Sequence, residues 1–208
     1  GTTGHPKMVL HTQASYPLAH RITALWLGVG KDDLHWNLSD NGWAKAAWSS
    51  LYAPWSRGAC VFVHDARGKF DPRAAIDVLE RYRISSFCAP PTAYRLLVRE
   101  DLKARDWTTL RHCVSAGEPL NPEVISVWKR GTGLTIREGY GQTESVLQVG
   151  TFPGMRVKPG SMGVAAPHFR MAVVGEDGRE LGVGKEGELA IAVRPRRPGG
   201  LFSGYWRN

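Results

Sequence analysis

Cysteine is scarce in this chain. Cys60, Cys88 and Cys113 are the only three in 208 residues, and no two approach CxxC spacing. That excludes a disulfide framework and speaks against a zinc or dithiol redox centre. Each lies in a short apolar run, so all three are expected as reduced, buried thiols of an intracellular protein. The compartment expected is the cytoplasm, with the mitochondrial matrix as the alternative in a eukaryote. Long apolar runs are missing too. No stretch approaches the ~18 residues that cross a bilayer, and the start has no signal-peptide pattern. Acidic residues are outnumbered, 19 Asp and Glu against 27 Lys and Arg, which leaves a formal net charge of +8. Such an excess raises nucleic acid as a partner. The basic residues are dispersed, however, with only residues 194–197 approaching a cluster, and no RRM, zinc-finger or helix-turn-helix signature accompanies them. The reading is therefore no nucleic acid, and a basic surface suited to anionic small molecules. The first residue is Gly1 rather than methionine and already lies inside a motif, so the expectation is a segment cut at both ends from a longer polypeptide.

What is present builds a core: 42% of residues are hydrophobic and 22% charged, as in ordinary soluble domains. Residues 43–52 are read as a helix with Trp43, Ala47 and Leu51 on one face, ended by Pro54. Residues 59–64 follow as a buried strand. Asp71-Pro72 is an N-cap with proline at the first helical position, and the helix beyond it should bury Ala75, Val78, Leu79 and Tyr82. The alternation continues with a strand over 84–89 and a helix over 91–102 burying Tyr94, Leu97, Val98 and Leu102. Next come a strand over 110–115, a helix from Asn121-Pro122 to Gly131, and a strand over 134–138. Strand-helix alternation with short buried strands is the pattern of an α/β fold, a parallel sheet covered by helices. Beyond about residue 160 helical periodicity disappears, and strand-like runs at 171–174 and 188–193 flank a turn at 176–179. Two regions are expected: an α/β nucleotide- and acyl-binding subdomain over 1–155, and a β-rich, barrel-like subdomain over 156–208.

Three segments carry chemistry. Gly1-Thr2-Thr3-Gly4-His5-Pro6-Lys7 combines glycines that let amides converge on an anion, threonine hydroxyls and a mobile cation, all suited to a polyphosphate. It is not a Walker A loop, since the glycine-to-lysine spacing differs and no Ser or Thr follows Lys7. A plain Gly/Thr turn ended by Pro6 fits the same residues. Residues 115–120, SAGEPL, lie between a strand end and a capped helix, where ligands of open α/β sheets sit, although an ordinary connection would look alike. Residues 138–144, EGYGQTE, also follow a strand. Tyr140 offers a flat face for a purine, the flanking glycines allow close approach, Thr143 can donate to a phosphate oxygen, and Glu144 is a hard ligand for magnesium. A polar turn over a packed tyrosine is the alternative.

Taken in order, GTTGHPK, SAGEPL, EGYGQTE, KPGSMG and GELAI resemble the signature segments of the adenylate-forming superfamily, which includes acyl-CoA synthetases, peptide-synthetase adenylation domains and luciferases. The stretches at 36–43, 87–95 and 194–205 are similar to the medium-chain acyl-CoA synthetase branch. The resemblance implies that Thr2, Thr3, Gly4 and Lys7 hold the β- and γ-phosphates of ATP, within a loop that includes Gly1, His5 and Pro6. It implies an adenine pocket lined by Gly117, Glu118 and Pro119 on one side and Glu138, Gly139 and Tyr140 on the other. Gly141 and Gln142 belong to the same nucleotide-binding segment. Thr143 would contact the α-phosphate and Glu144 would bind Mg2+. Lys7, Thr143 and Glu144 would thus be the residues acting in catalysis. Trp43 would border the acyl pocket, though a core tryptophan fits its helix equally.

The implied partners are a carboxylic acid, ATP and CoA. The acid attacks the α-phosphorus of MgATP to give an acyl-adenylate, and the CoA thiol then displaces AMP. Neither step needs a protein nucleophile, in keeping with the lack of a Ser-His-Asp or Cys-His arrangement among the 7 histidines. The family's ribose-binding aspartate, hinge, and C-terminal domain with its lysine are not in this chain. The chain alone is therefore expected to have little or no turnover, with open strand edges. Other readings are a non-catalytic nucleotide-binding module and an adenylation domain with an acceptor other than CoA.

Overall fold

A computed structural model describes residues 7–39 and 42–207. In chain order the elements are β1 (Val9–Leu10), α1 (Ser15–Leu27), β2 (Leu34–Asn37), a π-helical segment (Ala46–Tyr52) that runs on into α2 (Ala53–Trp55), β3 (Cys60–Phe62), α3 (Pro72–Arg81), β4 (Ser86–Cys88) and α4 (Pro91–Leu97). They continue with β5 (His112–Ala116), α5 (Pro122–Thr132), β6 (Ile136–Gln142), β7 (Val146–Gly150), β8 (Val164–Ala165), β9 (Met171–Val174), β10 (Glu188–Ile191) and β11 (Gly204–Tyr205). Seven strands form one sheet in the order β3-β2-β4-β5-β6-β7-β8. The first five are parallel, and β7 and β8 add antiparallel.

Helices cover both faces, and the strands show it residue by residue. Phe87 and Cys113 point into a cluster with Ile76, Leu79, Tyr94, Leu97 and Trp128 from α3, α4 and α5. The next residues along, Cys88 and Val114, point the other way, into a cluster with Ile22, Trp26 and Leu27 of α1. Period-2 alternation between two dry faces is what a covered parallel sheet requires. In the first cluster the Tyr94 ring meets Phe87 at 5.6 Å and Trp128 at 5.1 Å, both edge-on, worth ~1 kcal/mol each beyond burial.

Local signals place the helices. Asp71 accepts hydrogen bonds from the Arg73 and Ala74 amides, and Asn121 from that of Glu123, each followed by proline at the first helical position. Such a cap contributes ~1 kcal/mol. Gly133, at φ 77°, ends α5 in the left-handed conformation that glycine adopts freely. The α5 helix therefore passes through Gly131, one residue beyond the expected stop, and α4 ends at Leu97 instead of running to 102. On α3 the inward set is Ala75, Ile76 and Leu79, while Tyr82 is exposed.

Other departures have physical causes. Pro54 does not end its helix. The amide of Ala53 bonds the Trp48 carbonyl five residues back, and in that widened turn the missing N–H of Pro54 is accommodated. The residues buried there are Ala46, Trp48, Ser49 and Ala53, not Trp43 and Leu51. Cys60 is exposed, because β3 pairs only with β2 among the described residues; Cys88 and Cys113 are buried as expected. The third motif does not follow its strand but forms it: β6 runs to Gln142 and turns back antiparallel as β7. Helix α1 and the β1–β11 ribbon were not anticipated from periodicity. Of the β-rich end, β8 completes the main sheet and β9 pairs with β10 across the expected turn. The basic residues are also less dispersed than the linear order suggests. A cavity of about 690 Å3 on the outer side of α1 is lined by Arg21, Arg57, Arg170, Arg194, Arg196 and Arg197, with no carboxylate.

Candidate functional site

Chain order and sheet order part company at β2: the chain goes from β2 to β3 on one side and then back to β4 on the other. A crevice at the carboxyl ends of the strands is expected at such a switch point. There the structure has a cavity of about 1080 Å3. Its walls come from the segments that leave β2 (Asn37, Leu38, Ser39), β3 (Val63, His64), β4 (Pro90, Thr92, Ala93) and β5 (Ala116, Gly117, Glu118), closed over by Trp43, Ala47 and Leu51. The three residues read as an inward helical face thus face this cavity. Trp43 is 68% exposed on its wall, so it is not the core tryptophan that its helix also allowed. Strand ends are tied across the floor, the Leu38 amide to the Cys88 carbonyl at 2.8 Å and the Ser115 hydroxyl to the Ala89 carbonyl at 2.9 Å. Lys45, not singled out by any motif, donates from Nζ to the Ala116 carbonyl at 2.9 Å and lines the same cavity.

The second and third motifs are bolted together. Glu138 is buried and accepts the Leu120 amide through Oε1 at 3.0 Å. Burial raises its pKa above the usual carboxylate range, partly offset by that amide. The Glu138 carbonyl accepts from the Trp26 indole at 3.0 Å and the Thr151 amide at 2.9 Å. Gly139 and Gly141 are glycines because protein occupies the space. A Cβ on Gly139 would lie 2.7 Å from the Trp26 ring, and one on Gly141 would lie 1.9 Å from the Val146 carbonyl oxygen. The hairpin is strained there: its register shifts between Tyr140 and Gly141, and β-branched Val146 has φ 60°, a conformation that costs of order 1–3 kcal/mol. Such irregularities cluster where a strand must re-aim a side chain. Tyr140 is half-buried, Thr143 is exposed, and Gln142 accepts from Gln148 at 3.2 Å. Of the second motif, Gly117 adopts φ 110° and Glu118 pairs with Arg95 at 3.2 Å, about half exposed.

The first motif reaches the third through the β1–β11 ribbon. Residues 1–6 lie outside the described residues, so Gly1, Thr2, Thr3, Gly4, His5 and Pro6 receive no placement. Lys7 does: its ammonium lies 4.9 Å from the centre of the Tyr205 ring, whose hydroxyl donates to Glu144 Oε1 at 2.7 Å. That bond to a carboxylate, more than burial, raises the Tyr205 pKa. Beside it His11 Nε2 donates to the Thr143 carbonyl at 2.7 Å, and the Phe202 amide donates to the Glu144 carbonyl at 2.8 Å. Lys7, Thr143 and Glu144 thus come together, and Trp43 lines the cavity beside Gly117 and Glu118.

Glu144 suits a hard cation. It is half-buried, takes part in no ion pair among the described residues, and Oε2 accepts no hydrogen bond there. No cluster of three or more His, Cys, Asp or Glu is placed to hold a metal among the described residues. A cation at Glu144 would therefore complete its shell with ligand oxygens, the habit of Mg2+ on nucleotide phosphates. The two buried thiols are poor nucleophiles: burial pushes Cys88 up to about 11 and Cys113 up to about 12.

Comparison with known proteins agrees with this geometry. The profile described as AMP-binding enzyme matches residues 1–206. Acyl-coenzyme A synthetase ACSM3, mitochondrial, of Rattus norvegicus is 49% identical over the whole chain. The human ACSM4, also named mitochondrial, is 45% identical over the same span. The chain spans about a third of the length of these relatives, 36% of each. Among solved structures, the acyl-CoA synthetase of Brucella canis superposes with TM-score 0.89 at 33% identity, over 100% of this chain and 39% of its own. An anthranilate CoA ligase, AuaEII, in complex with anthranoyl-AMP superposes with TM-score 0.88 at 26% identity, over 100% and 39%.

Proposed function

This chain belongs to the AMP-binding enzyme family, and from that premise we propose that it is the nucleotide- and acyl-binding segment of an ATP-dependent acyl-CoA synthetase. One observation carries the reading: the cavity bordered by Trp43 opens directly onto Gly117 and Glu118, so acid and nucleotide would share a wall at the strand ends. A ligase that joins acid to AMP needs that adjacency, and the AuaEII structure holds such a joined molecule, anthranoyl-AMP.

In the first step a carboxylate oxygen of the acid attacks the α-phosphorus. The bond to the bridging oxygen of pyrophosphate breaks, and its electrons leave with pyrophosphate. The thiol of CoA, having lost its proton to solvent, then attacks the acyl carbon and AMP departs. The chain's own contribution is to position and to neutralise. In this reading Lys7 and the first loop would neutralise the departing phosphates, Thr143 would contact the α-phosphate and Tyr140 the base, while the apolar walls beside Trp43 would hold the acyl chain. Mg2+ on Glu144, when bound, withdraws charge from the phosphate oxygens.

The same proposal covers the partners, a medium-chain or related acid, ATP and CoA, together with the remainder of a longer polypeptide that carries the hinge and C-terminal lysine. It keeps the division at 1–155 and 156–208. The relatives are named mitochondrial, so the mitochondrial matrix is the compartment to test ahead of the cytoplasm. No helix among the described residues is long and apolar enough to cross a membrane.

The test is carboxylate-dependent exchange of labelled pyrophosphate into ATP by the parent polypeptide, across acids of two to sixteen carbons, with Glu144→Ala as control. Exchange with medium-chain acids that the substitution abolishes supports the reading. ATP binding without exchange for any acid would replace it with a non-catalytic nucleotide module, and adenylation without thioester formation would point to another acceptor.

A further inference from the structure

We infer that Tyr205 is the positioning residue for the cation-binding carboxylate, a role that deepens the proposed function and rests on its assignment of Mg2+ to Glu144. Tyr205 lies 61 positions from Glu144, near the far end of the β-rich segment, yet its hydroxyl donates to Glu144 Oε1 at 2.7 Å. The ribbon that delivers it is β1–β11, in which Val9 pairs with Tyr205 and Leu10 with Gly204. The chain leading out of the phosphate loop therefore fixes where the tyrosine sits. Lys7, at the end of that loop, lies against the same ring. One aromatic plane thus joins the first motif at its face to the third at its hydroxyl.

The choice of residue has a chemical reason. A carboxylate meant for a cation must be oriented without being neutralised. An Arg or Lys at Glu144 would orient it but would compete with the metal for its charge. A neutral phenol holds one oxygen through a hydrogen bond, leaves the full negative charge in place, and leaves Oε2 to ligate. The Phe202 amide on the Glu144 carbonyl, at 2.8 Å, fixes the backbone beneath it. Glu144 is thereby aimed before a nucleotide arrives, as ligating carboxylates are when an outer-shell donor holds them.

The test uses Tyr205→Phe in the parent polypeptide, which removes only the hydroxyl and keeps the ring under Lys7. Mn2+ binding to the ATP-loaded protein is titrated by electron paramagnetic resonance, and the Mg2+ dependence of pyrophosphate exchange is measured beside it. The expected result is a Mn2+ dissociation constant and a Mg2+ half-saturation each raised about tenfold, the low end for loss of an outer-shell partner, with the KM for the acid unchanged. Loss of fold would lower the number of Mn2+ sites at saturation rather than their affinity, so the two effects separate. Unchanged affinity in Tyr205→Phe, in an enzyme whose exchange Glu144→Ala abolishes, overturns the inference and leaves the proposed function standing. A loss of exchange with unchanged metal affinity overturns it as well, since the hydroxyl would then act elsewhere. A wild-type parent with no exchange removes the proposed function and this inference with it.

Discussion

At the ends of β5 and β6 the backbone itself is packed: Gly139 against Trp26, Gly141 against the Val146 carbonyl, Glu138 tied to Leu120. The β1–β11 ribbon, which brings Lys7 and Tyr205 to the same hairpin, is two residue pairs long and rests on a few exposed bonds. The first region sets a rigid shelf on which nothing can shift without a clash. The second is a short ribbon held by few bonds, which still brings Tyr205 onto Glu144. The nucleotide site proposed above would draw its parts from both ends of the stability range.

The largest effect that tests this contrast is Gly141→Ala. With the new methyl 1.9 Å from a main-chain oxygen, the hairpin must open, and the expected loss is at least ~3 kcal/mol, read by urea unfolding of the parent polypeptide. A loss below about 1 kcal/mol would show that the shelf yields. Next is Arg137→Leu. The Arg137 guanidinium is buried and donates to the Trp26 and Leu27 carbonyls at the C-terminus of α1. Leucine leaves those acceptors unpaired under the shelf, for an expected ~2 kcal/mol.

The pH dependence comes third. His20 and His35 are buried, and burial holds both near about 4, below the ordinary histidine value of 6.5. The unfolded chain therefore binds protons that the native chain refuses. This contribution to stability is complete above about pH 6.5 and declines as the pH falls toward about 4. His20 is packed by the Tyr16 and Tyr52 rings with neither nitrogen hydrogen-bonded, so His20→Phe should flatten the acid limb of a stability-pH curve by about one proton. An unaltered limb would mean that His20 titrates normally. On the ribbon, His11→Ala removes the exposed bond to the Thr143 carbonyl and a second with the Ser15 hydroxyl at 3.1 Å, and should cost only ~1 kcal/mol, seen in the same denaturation series. An effect rivalling Gly141→Ala would erase the contrast. Gly182→Ala, where a Cβ meets nothing within 4 Å, should stay within about 0.5 kcal/mol.

How much was legible follows from these particulars. Asp71-Pro72 and Asn121-Pro122 announced their helices because capping is local chemistry. The strands at 86–88 and 112–116 were visible because short, largely apolar runs mark parallel strands covered on both faces, and the strand at 136–138 because it follows a helix that ends in glycine. Helix α1 was not, since it is buried on several sides, Ala19, Ile22, Thr23, Trp26 and Leu27 alike, and so shows little amphipathic period. Strand β7 was hidden by the glycine-rich hairpin before it. The motif residues were singled out by their chemistry, but the glycines of the third motif admit Trp26 and Val146, which no local pattern announces. Tyr205 lay in a recognised stretch without a role, and Lys45 was passed over as one more helix lysine.

The sequence by itself determined the family, the parallel α/β core and the segments proposed for the site, because caps, apolar periods and motif spacing are properties of neighbours along the chain. Only the tertiary structure decided that Trp43, Ala47 and Leu51 wall a cavity, that Glu138 is a bolt between two motifs, and that Tyr205 reaches Glu144. Each of those depends on which distant backbone lies across the gap, and that is set by strand order and register.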